Sequence, residues 1–214
     1  MSIIYNSLGG EPLQFVVPDF RNYQYSFTLT NGTSTQVTMP IPAKFSSLKS
    51  ILIAVRDKGT GTYGGFFPFS SVSLGITDYQ FRVGSQIMPP KTPTTLAEMY
   101  SEVLKAMGSI GDINYQPSID KKSYATVSST ASNDTATTVS SSTSGSFYVG
   151  LDLENYAAAP KDTIFAGYNS NTDDVFWVAN FNQSTGGNVT ARFDAFANFD
   201  AVVVCENNTA YVKF

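Results

Sequence analysis

The sequence contains no histidine, only one cysteine and few charged residues. Without histidine, the chain has no Ser-His or Cys-His nucleophile and no histidine-ligated metal. The single Cys205 can neither form a disulfide within the chain nor supply a cysteine-based zinc site. This cysteine usage favours assembly in a reducing cytoplasm or nucleus. Carboxylates are therefore the remaining candidates for catalysis.

Charge is scarce and is not concentrated anywhere along the chain. There are 13 Lys and Arg against 17 Asp and Glu, a net charge of −4, and no basic stripe that would predict a specific nucleic-acid site. No apolar run approaches the roughly 18 residues of a membrane helix, and no basic segment opens the N-terminus, so we expect a soluble chain without a membrane span. Aromatic residues make up 14% of the chain and charged residues also 14%. Many aromatic and few charged residues are typical of a surface that lies against neighbouring proteins.

Alternating apolar and polar residues predict an all-β fold. Asn31-Gly32, between two alternating segments, predicts a β-hairpin, and the apolar run 48–55 predicts a strand in the middle of a sheet. Glu206 to Thr209 predicts a closing hairpin. The predicted strands lie at 23–29, 37–41, 48–55, 79–83, 147–153, 175–181, 193–199, 201–204 and 210–214. Their unequal connections favour a roughly eight-stranded jelly-roll β-sandwich with one inserted amphipathic helix.

The helix is predicted at about 95–108. Thr95 and Glu98 have the spacing of a capping box, and Gly108 marks the end. An apolar stripe would lie on the sandwich and consists of Leu96, Met99, Tyr100, Val103, Met107 and Ile110. We expect residues 1–22 to form an N-terminal extension or arm and residues 23–214 a single jelly-roll domain. A Ser/Thr-rich loop is predicted at about 123–146.

Three features could carry chemistry, and none predicts a catalytic, cofactor or metal site. Asp152 and Glu154 share one face of a strand, but the alternation already explains them as solvent-facing residues. Residues 169–174 place oxygen ligands at alternate positions, yet Asp174 stands where a calcium loop needs glycine, so a turn with Asx caps is favoured. A calcium ion bound between subunits is an alternative that the sequence leaves open. Cys205 follows an apolar run and is predicted to be an inert core thiol.

The order of elements resembles that of a viral coat protein. The run from LKSILIAVRDKGTGTYGGFF through YQFRVGSQIMPPKTPTTLAEMYSEVLKAMGSI looks like a jelly-roll capsid protein of an icosahedral virus. SFYVGLDLENY, AGYNSNTDDVFWVANF and ARFDAFANFDAVVVCENNTAYVKF are similar to the last strands of the C-terminal roll in double-jelly-roll major capsid proteins, such as those of virophages and Polinton-like viruses. This resemblance covers most of residues 23–214. A double roll needs about twice this length, so the chain is either one half of such a protein or a single-roll coat subunit like those of picorna-like viruses.

The resemblance implies a structural capsid protein that self-assembles into an icosahedral shell around a genome, located in the virion and assembled in the host cytoplasm or nucleus. Its partners would be other copies of itself, other capsid proteins and a host-surface receptor contacted by exposed loops. It implies no enzyme activity and no cofactor. Two alternatives remain: a carbohydrate-binding β-sandwich in which Tyr63, Phe66, Phe67 and Phe69 stack on sugar rings, and an enzyme built on Asp152 and Glu154.

Overall fold

The computed structural model places nine strands and two helices in the described part of the chain. That part comprises residues 12–30, 32–57, 71–108, 119, 121–125, 145–154, 167–182, 188–206 and 209–213. In chain order the elements are β1 Leu13–Leu29, β2 Ser34–Ile41, β3 Leu48–Asp57, β4 Ile76–Val83, β5 Gln86–Met88, α1 Leu96–Ala106, α2 Lys121–Tyr124, β6 Tyr148–Asp152, β7 Val175–Asn182, β8 Val189–Glu206 and β9 Thr209–Lys213.

The strands form two antiparallel sheets. The first sheet has the order β1-β8-β3-β6, with β9 added to β8, and the second has the order β2-β7-β4-β5. These two strand orders are those of an eight-stranded jelly roll, to which β9 is an addition. The predicted all-β jelly-roll sandwich is confirmed.

The core lies between the sheets because each sheet turns its apolar positions inward. On β7, Trp177 is fully buried and packs edge-on against Phe193 of β8, with 5.2 Å between the ring centroids. Further along β8, Phe199 stacks on Phe45, with 3.8 Å between the ring centroids. The period-2 pattern of apolar residues thus identified the buried face of both strands correctly.

The predicted hairpin around Asn31-Gly32 is wrong. β1 pairs with β8 in the first sheet, whereas β2 pairs with β7 in the second. Gly32 does adopt a left-handed turn conformation, with φ 72°. The chain turns at Gly32 and passes from the first sheet to the second. Leu29 of β1 and Val37 of β2 are both fully buried, so the two strands contribute to the core from opposite sheets.

Several element boundaries also differ from the prediction. β1 begins at Leu13, so residues 13–22, assigned above to an N-terminal arm, are paired with β8. β8 is a single 18-residue strand that joins two predicted segments. α1 lies within the predicted 95–108, and the central part of the predicted Ser/Thr-rich loop, 126–144, lies outside the described residues. The division into an arm and one domain otherwise stays a prediction.

The N-terminus of α1 is held by the predicted capping box. Glu98 N donates to Thr95 Oγ1 at 3.3 Å, and the Glu98 carboxylate accepts from Thr95 N at 3.3 Å and from Thr94 N at 3.0 Å. Lys91 Nζ adds a contact of 2.5 Å to the same carboxylate. The hydrogen bond from Lys91 and those from the backbone lower the pKa of Glu98 to about 2.

The body of α1 packs closely on β6. Met99 and Val103 are buried, and Gly150 of β6 lies under the helix. A Cβ at Gly150 would lie 2.7 Å from Val103 Cα and 2.9 Å from Glu102 O, so only glycine allows this approach. The Gly150 carbonyl also accepts from Tyr79 OH at 3.3 Å, which ties β6 to the second sheet.

Gly150→Ala is expected to destabilise the fold by about 1–3 kcal/mol, because the added methyl group must displace helix backbone. Denaturant unfolding monitored by circular dichroism measures this loss. Leu96→Ala is the control, since Leu96 is an exposed position of the same helix and alanine is a good helix former. Equal stability of Gly150→Ala and the wild type would show that the helix does not need this close approach.

Glu98→Gln is expected to lower the thermal midpoint at pH 7. The pKa of Glu98 is depressed in the folded state, so its stabilising effect is full above the ordinary value of 4.5 and disappears as the pH falls towards about 2. The difference in midpoint between the wild type and Glu98→Gln should therefore shrink across that window. Glu206→Gln, a change of the same charge outside the helix, serves as the control. A difference that is independent of pH would contradict the capping role.

Candidate functional site

The two carboxylates considered for catalysis belong to a structural ion network. Glu154 Oε1 lies 2.9 Å from Lys49 Nζ, and Asp152 Oδ1 accepts from Glu154 N at 3.0 Å. Lys49 Nζ is also 3.8 Å from Asp200 Oδ1. Partial burial by itself would lower the pKa of Lys49, but the hydrogen bond to Glu154 and the charge of Asp200 raise it. Glu154 is thus held in an ion pair with Lys49. A glycosidase would instead need two carboxyl groups that flank a bound sugar, roughly 5–9.5 Å apart.

Asp200 anchors this network from β8. Its Oδ2 accepts from Ser47 Oγ at 2.8 Å, and its backbone N donates to Ser47 O at 3.0 Å. Ser47 is fully buried, and its Oγ also accepts from Gly167 N at 3.2 Å. These bonds join the start of β3, the middle of β8 and the segment before β7, so their effect is to fix strand positions.

The loop considered for calcium uses its oxygens within the protein. Asn169 Oδ1 accepts from Asn171 N at 3.2 Å, which is the predicted Asx turn. Asp174 Oδ1 lies 2.8 Å from Lys44 Nζ, and the Asp173 carboxylate accepts from Tyr168 OH. That hydrogen bond raises the pKa of Tyr168. The described residues contain no group of three or more Cys, Asp or Glu that could hold a metal ion.

Of the remaining candidates, the structure describes Cys205 alone. Cys205 is half-buried on β8, opposite Leu13 and Ala210, so the prediction of a core thiol is wrong. Phe199 is covered by the ring of Phe45, whereas Val203 and Cys205, further along the same side of β8, are only partly buried. The aromatic residues of the carbohydrate alternative, Tyr63, Phe66, Phe67 and Phe69, lie outside the described residues.

One charged cluster was not predicted. Asp194 is buried on β8, with Arg56 Nε and Arg192 Nε each 2.9 Å from its carboxylate. The Arg56 N–H does not point at the oxygen, so that contact is an ion pair without an aligned hydrogen bond. The pairing of β3 with β8 sets Arg56 directly opposite Arg192. Arg192 and Asp194 are two residues apart on β8, but only the register adds Arg56, for which the sequence carries no local signal.

Exposed apolar side chains remain after these clusters are accounted for. The large exposed apolar side chains in the described residues are Phe15, Val16, Val17, Phe20, Tyr25, Ile87, Leu96, Tyr211 and Val212. Those of β9 and the first three of β1 lie at one end of the first sheet, whereas Phe20 and Tyr25 lie further along β1. Over the described part of the chain, no helix is both long and apolar enough to cross a membrane.

Comparisons with known proteins identify the fold. No protein-family model and no curated protein sequence matches the chain. Among solved structures, the mavirus major capsid protein has a TM-score of 0.56 and 11% identity, covering 97% of this chain and 43% of its own. A chain of the Sputnik virophage, solved by cryo-electron microscopy, has a TM-score of 0.52 and 14% identity, covering 95% and 39%. The PBCV-1 virus capsid has a TM-score of 0.56 and 7% identity, covering 100% and 54%.

The chain has a viral jelly-roll capsid fold. The similarity extends over nearly the whole chain, and the strand orders agree with it. This jelly roll spans about half the length of the capsid chains that it matches, from 39% to 54%. In the described part of the jelly roll, the polar clusters connect strands, and most of the exposed apolar residues lie on β1 and β9 of the first sheet.

Asp194→Asn is expected to destabilise the jelly roll by about 3 kcal/mol or more, because it leaves Arg56 and Arg192 facing each other without a compensating charge. Chemical denaturation at neutral pH measures the loss. Asp174→Asn is the matched control, since the exposed Lys44–Asp174 pair should contribute less than about 1 kcal/mol. Similar effects of the two substitutions would show that Asp194 is not needed to neutralise the arginines.

Proposed function

We propose that this chain is a structural capsid protein that assembles with copies of itself into the icosahedral shell of a virus and encloses its genome. The observation that carries the proposal is the match of almost the entire chain to capsid structures, reaching TM-scores of 0.56. Since the identities are low, this match establishes the fold, and the role in a shell is our inference from it.

The polar clusters support a structural role without catalysis. Glu154 is paired with Lys49, and Asp194 is paired with two arginines, so both carboxylates stabilise strand positions. Catalytic carboxylates face a cleft where they can reach a substrate. Glu154 and Asp194 instead pair with basic residues of neighbouring strands.

The location and partners follow from the same proposal. The protein would reside in the virion, with other copies and other capsid proteins as neighbours, and loops on the outer surface would contact a host receptor. The matched chains are about twice as long, so the proposal concerns the role of this jelly roll, either alone or as one unit of a larger subunit.

Assembly can be tested on the purified chain. Size-exclusion chromatography and negative-stain electron microscopy are expected to show closed particles of uniform diameter, and nucleic acid inside them should resist nuclease. Small species at every concentration and ionic strength would contradict the proposed function. Uniform particles that protect no nucleic acid would contradict genome enclosure alone.

The variant Val103→Asp is a control that distinguishes shells of folded protein from aggregates. Val103 is fully buried, so the substitution places an unpaired charge in the core and should unfold much of the protein. Closed particles of the same diameter from Val103→Asp would show that the particles do not depend on the folded jelly roll.

A further inference from the structure

β6 is an edge strand of the first sheet, and its hydrogen bonding shows which backbone groups point outward. Among the described strands, β6 pairs only with β3. Leu153 N donates to Lys49 O at 2.8 Å, so these two residues form a hydrogen-bonded pair of the antiparallel ladder. Bonded and non-bonded pairs alternate in such a ladder. Tyr148 and Gly150 therefore belong to non-bonded pairs and direct their N–H and C=O groups away from β3.

Both of these outward carbonyls accept a hydrogen bond from a tyrosine. The Tyr148 carbonyl accepts from Tyr124 OH at 2.9 Å, and the Gly150 carbonyl accepts from Tyr79 OH at 3.3 Å. Tyr124 lies on α2 and Tyr79 on β4 of the second sheet, so the two hydroxyls come from different elements. A further strand of the sheet would donate to the same two carbonyls through its backbone N–H groups. The two tyrosines take the place of such a strand.

The surroundings of the two tyrosines hold them in this position. Tyr79 is fully buried, and Tyr124 is 2% exposed. The Tyr124 ring packs between Tyr100 of α1 and Phe147, with 5.0 Å between the ring centroids in each contact. Burial raises the pKa of both hydroxyls, so they remain protonated and able to donate at neutral pH.

The tyrosines also fill the space that an added strand would need. A hydroxyl at hydrogen-bond distance from an outward carbonyl occupies the position of the N–H of a neighbouring strand. α1 does not have this role, because it lies over Gly150 in the direction of a side chain and therefore covers a face of β6. The edge itself is covered by the two tyrosines.

We propose that Tyr79 and Tyr124 close the β6 edge of the first sheet, so that no extended strand of another chain pairs with it. Unpaired sheet edges associate readily with foreign strands, and proteins prevent this by covering the edge. The proposal concerns the folded subunit and does not depend on whether that subunit forms a shell. In any assembly, it excludes contacts between chains that add a strand to β6.

Removing the hydroxyls alone tests whether they serve the edge. Tyr79→Phe and Tyr124→Phe keep the rings but leave the two β6 carbonyls buried without a donor, so each should lower the thermal midpoint by several degrees. Tyr23→Phe is the control, because Tyr23 OH donates at 3.1 Å to the carbonyl of Pro42 in an exposed position. Midpoints of both variants equal to that of Tyr23→Phe would overturn the proposal, since the hydroxyls would then contribute nothing to the edge.

Opening the edge tests the consequence. Tyr124→Val removes the hydroxyl and most of the ring, so sedimentation velocity should show association that is stronger by roughly tenfold, the effect of about two hydrogen bonds. Infrared spectra should show added antiparallel strand pairing between molecules. A second substitution, Tyr148→Pro, should reverse the association because proline removes an outward N–H of β6. Tyr23→Val, the same change on β1, is the matched control, and thermal melting verifies folding.

Three results of this experiment would overturn the proposal. They are a folded Tyr124→Val that associates no more than the wild type, equal association of Tyr23→Val, and association that persists when Tyr148→Pro is added. Persistent association would place the added strand elsewhere, such as at the outer edge of β9, which pairs only with β8 among the described strands. Tyr124→Leu, which leaves less empty volume, replaces Tyr124→Val if the latter does not fold.

Discussion

The pairing of β8 along both of its edges is the constraint on which the rest of the structure depends. β1 follows one edge from Val189 to Cys205, while β3 and then β9 occupy the other. Because side chains alternate along a strand, the buried face of β8 also fixes which side chains of its neighbours turn inward. A shift by one residue would expose Phe193 and Phe199 and bury Asp194 in the core. The aromatic contacts with Trp177 and Phe45 therefore select a single register.

The same register accounts for the charged cluster. Once β3 and β8 are aligned by their apolar faces, Arg56 and Arg192 must lie opposite each other on the other side of the sheet. Like charges in such a cross-strand pair are destabilising. Asp194 lies next to both and offsets the repulsion, with exposed side-chain fractions of 18% for Arg56 and 3% for Asp194. The cluster is thus a consequence of how the core is packed.

Much of the fold could be predicted from the sequence because its strongest signals are local. The alternation in 175–181 identified β7, and the spacing of Thr95 and Glu98 identified the start of α1. The predicted hairpin at Asn31-Gly32 is wrong because the sequence signal for a turn is local, whereas the choice of strand partner depends on distant residues. β1 was predicted to begin too late because residues 14–22 are exposed on both faces and show no alternation. The Asp194 cluster depends on pairing between distant segments, which a single sequence does not reveal.

Apolar side chains along β8 differ in what surrounds them. Phe193 packs against Trp177 of the second sheet and Phe199 stacks on Phe45, so changes up to that point should act on folding. Beyond Ala201 the strand continues between β1 and β9, and its apolar side meets solvent at Phe15 and Val212. Because the register of β8 with β1 has no shift, this end of the sheet keeps a fixed orientation relative to the sandwich. The same strand therefore joins side chains that stabilise the core, such as Phe193 and Phe199, to a part of the sheet that solvent reaches.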